Sequence, residues 1–142
     1  MNKALLSSNS NEWETPQDLF EKLNEEFGFT LDAASTHENA KCKKHYTLED
    51  DGLIKNWGGE TVFLNPPYGR ELPKWVKKAY LESLKGATVV MLIPARTDTE
   101  YFHDYILNKA EIRFQRGRIK FSGSKNSAPF PSMIIVYRGV KL

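Results

Sequence analysis

Apolar positions after Thr15-Pro16-Gln17-Asp18 recur with a helical period: Leu19, Phe20, Leu23 and Phe27 fall on one face, and Gly28 is placed to end the helix. Thr15 is suited to cap that helix, Pro16 to its first position, and Asp18 to the acid of a capping box. Phe29 to Leu31 predicts a short strand ending at Asp32, and Ala33 to Asp51 is polar with weak periodicity. Thr61 to Leu64 predicts a second strand, cut off by Asn65-Pro66-Pro67. A helix follows over Leu72 to Leu84, with Leu72, Trp75, Val76, Ala79 and Leu84 as its apolar stripe and Gly86 beyond its end. Thr88 to Ile93 is almost continuously apolar, as in a strand buried on both faces, and Pro94 ends it. Thr97-Asp98-Thr99-Glu100 has capping-box spacing and predicts a helix carrying Phe102, Tyr105 and Ile106. Ile112 to Phe114 and Ile119 to Phe121 read as short strands around Gly117, and Met133 to Tyr137 as the last strand. Alternating helices and strands predict a three-layer α/β domain with a mostly parallel sheet and an antiparallel C-terminal edge.

At 142 residues, one domain is expected, and 40% hydrophobic with 27% charged residues excludes a wholly disordered chain. The single cysteine, Cys42, excludes an internal disulfide framework. The longest apolar run, Val89 to Ile93, is far too short to span a bilayer. Residues Met1 to Ser10 lack the apolar centre of a secretion signal, so the cytoplasm is the expected setting, and Met1 to Asn11 is expected to be flexible. Net charge is only +2, but its distribution is uneven. Six bases (Lys109, Arg113, Arg116, Arg118, Lys120, Lys125) stand against one acid, Glu111, between residues 109 and 125. Such a segment is either a phosphate-facing surface or a solvated face.

The segment that carries chemistry is Asn65-Pro66-Pro67-Tyr68. With its usual variants, such a tetrapeptide arises by accident in about one chain of this length in a few hundred. Read blandly, it is a rigid turn whose tyrosine packs on the core. Read chemically, the prolines leave the Pro66 carbonyl without a ladder partner, beside the Asn65 amide oxygen. Two fixed acceptors at a strand end can grip both hydrogens of an exocyclic amine and offset positive charge as its nitrogen attacks. Tyr68 then offers a flat face for an aromatic base. No general base is required, because the amine proton leaves only after the transfer.

Asn65-Pro66-Pro67-Tyr68 matches the catalytic motif of S-adenosylmethionine-dependent amino-group DNA methyltransferases. The flanking sequence resembles the small phage DNA N6-adenine methyltransferases through Glu12-Trp13-Glu14-Thr15-Pro16, Leu31-Asp32-Ala33-Ala34-Ser35, Asp51-Gly52-Leu53, Pro94-Ala95-Arg96-Thr97-Asp98-Thr99 and Ala128-Pro129-Phe130-Pro131-Ser132. The resemblance covers most of residues 12–137. It implies a Rossmann-like fold and a single minimal methyltransferase domain over 12–142, without a separate target-recognition domain. It also implies transfer to adenine N6 in double-stranded DNA, with the base flipped, in the cytoplasm of a host cell. Trp13, Thr15 and Pro16 match the segment along the cofactor's methionine part, Asp32 with Ala33 the position near its amino group, and Asp51 with Leu53 the position at its adenine. Asn65, Pro66, Pro67 and Tyr68 match the target-amine site. DNA contacts would come from loops, through Arg70, Arg96, Arg116, Arg118 and Lys120.

The chain departs from the broad superfamily after its first strand. Ala33-Ala34-Ser35-Thr36 replaces a glycine-rich loop, and no glycine follows until Gly52. No acid stands after a second strand to hold a ribose, leaving Glu49 and Asp50 as weak candidates. His37, Cys42 and His45 lack the ligand number and spacing of a metal site, so no metal is expected. Trp57 and Trp75 read as core residues. Other amines remain open as targets: cytosine N4, an RNA base or a protein glutamine. A non-catalytic DNA-binding module and a phage structural protein also remain open.

Overall fold

The computed structural model describes residues 13–141, and the expectation of a flexible Met1–Asn11 lies outside the described residues. Five strands form one sheet: β1 (Leu31–Asp32), β2 (Thr61–Leu64), β3 (Thr88–Pro94), β4 (Glu111–Phe114) and β5 (Ser132–Tyr137), in the order β1-β2-β3-β5-β4. β1, β2 and β3 pair in parallel, and β5 is antiparallel to both of its neighbours. β4 therefore points the same way as β1 to β3, so four of the five strands share a direction. Antiparallel pairing is confined to the C-terminal side of the sheet, as the sequence predicts, with the reversed strand β5 one place in from the edge. Burial decides this: every residue of β5 is buried and needs cover on both sides, whereas β4 is half-exposed and tolerates an open edge.

β2 and β3 are buried almost throughout, Val62 and Leu64 pointing to one face and Phe63 to the other. Phe63 meets Phe20 edge-to-face at 5.1 Å, which docks α1 (Gln17–Phe27) on its side of the sheet. α1 ends at Gly28, whose φ of 67° lets its N–H return to the Asn24 carbonyl. Its start differs from the sequence expectation. Pro16 occupies the cap position and no side chain caps the helix, so the Thr15 hydroxyl is free for another partner. α2 spans Leu72–Leu84 as expected, with Leu72, Trp75, Val76 and Ala79 buried.

Two further expectations fail. The helix expected from Thr97 is a short turn of π-helix over Phe102–Ile106, opened by Thr99, whose Oγ1 accepts from Phe102 N at 3.3 Å. Asn108, at φ 63°, closes the segment. Ile119 to Phe121 is not a strand. It belongs to the connection between β4 and β5, where Phe121 is buried as a plug and Ile119 O accepts from Ala128 N. The apolar alternation there reports a ring inserted into the core rather than a ladder.

Parallel pairing brings the C-terminal ends of β1, β2 and β3 to one side, setting Asp32, Asn65 and Ala95-Arg96 along one rim. The polar stretch after β1 folds back on that rim: Tyr46 N donates to Asp32 O at 2.9 Å and Ser35 N to Tyr46 O at 3.0 Å. It then closes through a 3-10 turn over Gly52–Ile54. Trp57, fully buried, donates from its ring N–H to Gly52 O at 3.0 Å and from its backbone N–H to the buried Glu82 carboxylate at 2.5 Å. Among the described residues no helix is long and apolar enough to cross a membrane.

Candidate active site

Asn65 leaves β2 half-buried with its amide oriented on three sides. Nδ2 donates to the Trp13 carbonyl and, at 2.9 Å, to Thr15 Oγ1. Because the Trp13 carbonyl can only accept, the NH2 end must face it, which leaves Oδ1 on the other side. The Tyr68 hydroxyl lies 2.8 Å from that Oδ1 and 3.0 Å from the Leu92 carbonyl, so its one proton is shared between two acceptors. The Pro66 carbonyl receives no hydrogen bond from the described residues.

Tyr68 itself is buried, 6% exposed, with the rings of Phe130 and Phe121 nearly perpendicular to it at centroid separations of 5.8 and 6.5 Å. The flat face expected to receive a base is covered in this structure, so here the tyrosine packs on the core as the bland reading of the motif has it. Burial drives its phenol well above the usual range and keeps the hydroxyl protonated, hence a donor.

Beside Asn65 opens a cleft of about 460 Å³, within the range of small-molecule sites. Trp13, Thr15, Asp32, Ala33 and Asp51 line it together with Asn65, Pro66 and Pro67. Pro16 and Leu53 do not; Leu53 instead donates its N–H to Asp51 Oδ1 at 3.1 Å. Asp32 is nearly buried, and burial pushes its carboxyl up to about 6 despite N–H bonds from Lys41 (2.9 Å) and Ala34 (3.3 Å) and the nearby charges of His45 and Lys41. Its anion is thus poorly compensated and suited to a cation. Ser35 Oγ is buried without a partner at the same wall.

Several wall residues escaped the sequence reading. Its place on the α2 stripe assigns Trp75 to the core. It is indeed buried, but its ring also floors the cleft, and a helical stripe looks the same in either case. Gly52 lets that floor form: a Cβ there would sit 2.2 Å from the Ala33 carbonyl and 3.1 Å from the Trp75 ring. Leu48, 94% exposed, stands at the mouth. His37 also lines the cleft and shares a 2.9 Å hydrogen bond with His45. Among the described residues no three His, Cys, Asp or Glu side chains converge as a metal site would require. A shallower hollow of about 580 Å³ near Phe20, Phe29 and Lys43 holds none of the motif residues.

The basic segment divides. Arg113 is committed to a two-point pair with Glu26, both contacts 2.7 Å, and to Glu111. Arg70, Arg96, Arg116, Arg118 and Lys120 are exposed and have no ion-pair partner among the described residues. Arg116, Arg118 and Lys120 lie on the same connection that places Phe121 and Phe130 against Tyr68.

A family model described as DNA N-6-adenine-methyltransferase (Dam) matches residues 2–141. The chain belongs to the Dam family. A DNA N-6-adenine-methyltransferase of Escherichia phage T1 is 38% identical over 102 residues, 70% of this chain but only 42% of the phage protein's length. One from Haemophilus phage HP1 is 29% identical over 133 residues, covering 88% of this chain and 77% of the relative. The putative methyltransferase YfdM of Escherichia coli is 39% identical over 64 residues, 40% of this chain and 70% of that one. The crystal structure of Thermoplasma acidophilum 1320 shares the fold, with a TM-score of 0.50 at 13% identity over 87% of this chain and 84% of that one.

In this Dam-family chain Gly52 allows a close approach to the Ala33 carbonyl and the Trp75 ring. Gly52→Ala is expected to destabilise the protein by about 2 kcal/mol, because the carbonyl and ring it meets belong to packed elements. Urea unfolding reads this directly, and a loss under about 0.5 kcal/mol would show that the floor can yield.

Proposed function

We propose that the protein transfers a methyl group from S-adenosylmethionine to the N6 amine of adenine in DNA. The observation that carries this reading is the pair of acceptors at the end of β2, on two residues that line the cleft: the Pro66 carbonyl, without a partner among the described residues, and an Asn65 Oδ1 whose orientation is imposed from behind.

The cleft suits the cofactor on chemical grounds. The ill-compensated Asp32 carboxylate would hold its ammonium group and Asp51, which lines the same cleft, would accept from its adenine amine. When bound, the cofactor supplies an electrophilic methyl group on a positive sulfur. The chain's own part is to hold the attacking nitrogen. Asn65 Oδ1 and Pro66 O accept one hydrogen each, drawing the nitrogen lone pair out of conjugation and stabilising the charge that develops on it. Oδ1 has a second lone pair for this task beside the Tyr68 hydroxyl, and the tyrosine proton has the Leu92 carbonyl as an alternative.

Inside a duplex the amine is not accessible for in-line attack, so the base leaves the stack. Stacking on Tyr68 then requires Phe121 or Phe130 to yield, and both sit on the connection carrying Arg116, Arg118 and Lys120. These bases, with Arg70 and Arg96, are the proposed phosphate contacts.

Asn65→Ala is expected to lower turnover by about two to three orders of magnitude while cofactor affinity persists. Labelled methyl transfer to DNA, with the product base identified, measures this. Retention of more than about a tenth of the activity removes the acceptor role, and label on cytosine or only on RNA or protein changes the substrate.

Cofactor affinity should also fall as pH drops through about 6, because the ammonium needs the ionised Asp32. Calorimetry between about pH 5 and 7 tests it against Asp32→Asn, which should bind weakly and without that slope. A slope that persists in Asp32→Asn removes Asp32 from the titration.

Reversing Arg116 and Arg118 to Glu should weaken DNA binding and flatten its salt dependence by about two counterions. An unchanged slope would return the segment to an ordinary solvated surface.

A further inference from the structure

We infer that the Thr15 hydroxyl is a positioning group for the Asn65 amide, taking its second N–H proton and steadying the Oδ1 that meets the target amine. The inference rests on the acceptor role proposed above for Asn65. Thr15 is 2% exposed, and the task its sequence position suggests, capping α1, is left undone: Pro16 is the cap residue and no side chain caps that helix. Its Oγ1 instead lies 2.9 Å from Asn65 Nδ2, fifty residues along the chain.

The two ends of an amide have almost the same shape and opposite hydrogen-bonding sense. With Oδ1 forward, Asn65 accepts from the target amine. Rotated half a turn, it would present NH2 to NH2, and the site would repel its substrate. The Nδ2 group has two protons, and the stretch Trp13 to Thr15 takes both, one on the Trp13 carbonyl and one on the Thr15 hydroxyl. That stretch is itself tied down, since Glu14 O accepts from Ser122 N at 3.0 Å. Losing the hydroxyl leaves one N–H buried without an acceptor, and the amide, whose orientation the Trp13 carbonyl sets, is held at one point fewer. Thr15 acts through Asn65 and need not touch the substrate.

The test compares Thr15→Val, which keeps the shape, with Thr15→Ser, which keeps the hydroxyl. Thr15→Val should lower kcat about tenfold, a larger change than in the S-adenosylmethionine dissociation constant. Thr15→Ser should restore kcat to within about threefold. A full kcat in Thr15→Val overturns the inference, as does a loss confined to cofactor affinity. Hydrogen exchange of the Asn65 side-chain amide in the unmodified protein gives a second reading that does not depend on the valine variant folding. Its protons should exchange about tenfold or more slower than those of exposed Asn56, and equal rates overturn the inference. Asn65→Ala in the same assay separates the two levels. If it retains turnover, the acceptor reading has failed; if it is inactive while Thr15→Val is fully active, only the role of Thr15 has failed.

Discussion

Two consecutive prolines at the end of a buried strand remove two N–H donors at the point where β2 must leave the sheet. A carbonyl there has no ladder partner to find, and the chain cannot relax by continuing the strand. The neighbouring Asn65 would be a free rotor in such a loop were it not gripped by Trp13 and Thr15 from a segment far away in sequence. The acceptor pair is thus a joint product of local stiffness and long-range closure. The buried β2 and β3 strands hold one side of it, and the segment entering α1 holds the other.

The same economy governs the cleft. Without a glycine-rich loop after β1, the wall is built from Ala33 and the folded-back polar stretch, and close approach is achieved at Gly52 against Trp75. Trp57 and Glu82 anchor this turn from below, one through an indole N–H and the other through a carboxylate on α2. An exposed surface loop is in this way held by core residues, which is how a small fold can keep a site rigid on an irregular segment.

Much of this was legible in the sequence. α2 and the strand cores followed from periodicity, because burial on one face or both leaves an unmistakable pattern in Leu72–Leu84 and Val89–Ile93. Asn65-Pro66-Pro67 stands out because its residue types are chemically unusual at a strand end, and these three residues line the cleft while Tyr68 packs in the core. What failed depended on partners distant in the chain. Ile119–Phe121 has strand-like alternation, but Phe121 is a plug beside Trp13 and Tyr68. Thr15 has the right place for a cap, yet a stronger demand from Asn65 takes its hydroxyl. Trp75 on an apolar stripe reads as core whether its ring ends in protein or in a cleft. The insertion of β5 between β3 and β4 could not be read from strand order at all, only from how completely each strand is buried.

Asp32 has a thermodynamic consequence of its own. Its carboxyl binds a proton more tightly in the folded chain than in the unfolded one, so without a ligand the fold loses stability as pH climbs from the ordinary carboxylate range to about 6 and holds that deficit above it. A cation docked beside it cancels the deficit, and the melting temperature of the protein becomes a gauge of whether that position is filled. The charge that makes the ligand-free protein weaker at neutral pH is the one through which a bound partner would strengthen it.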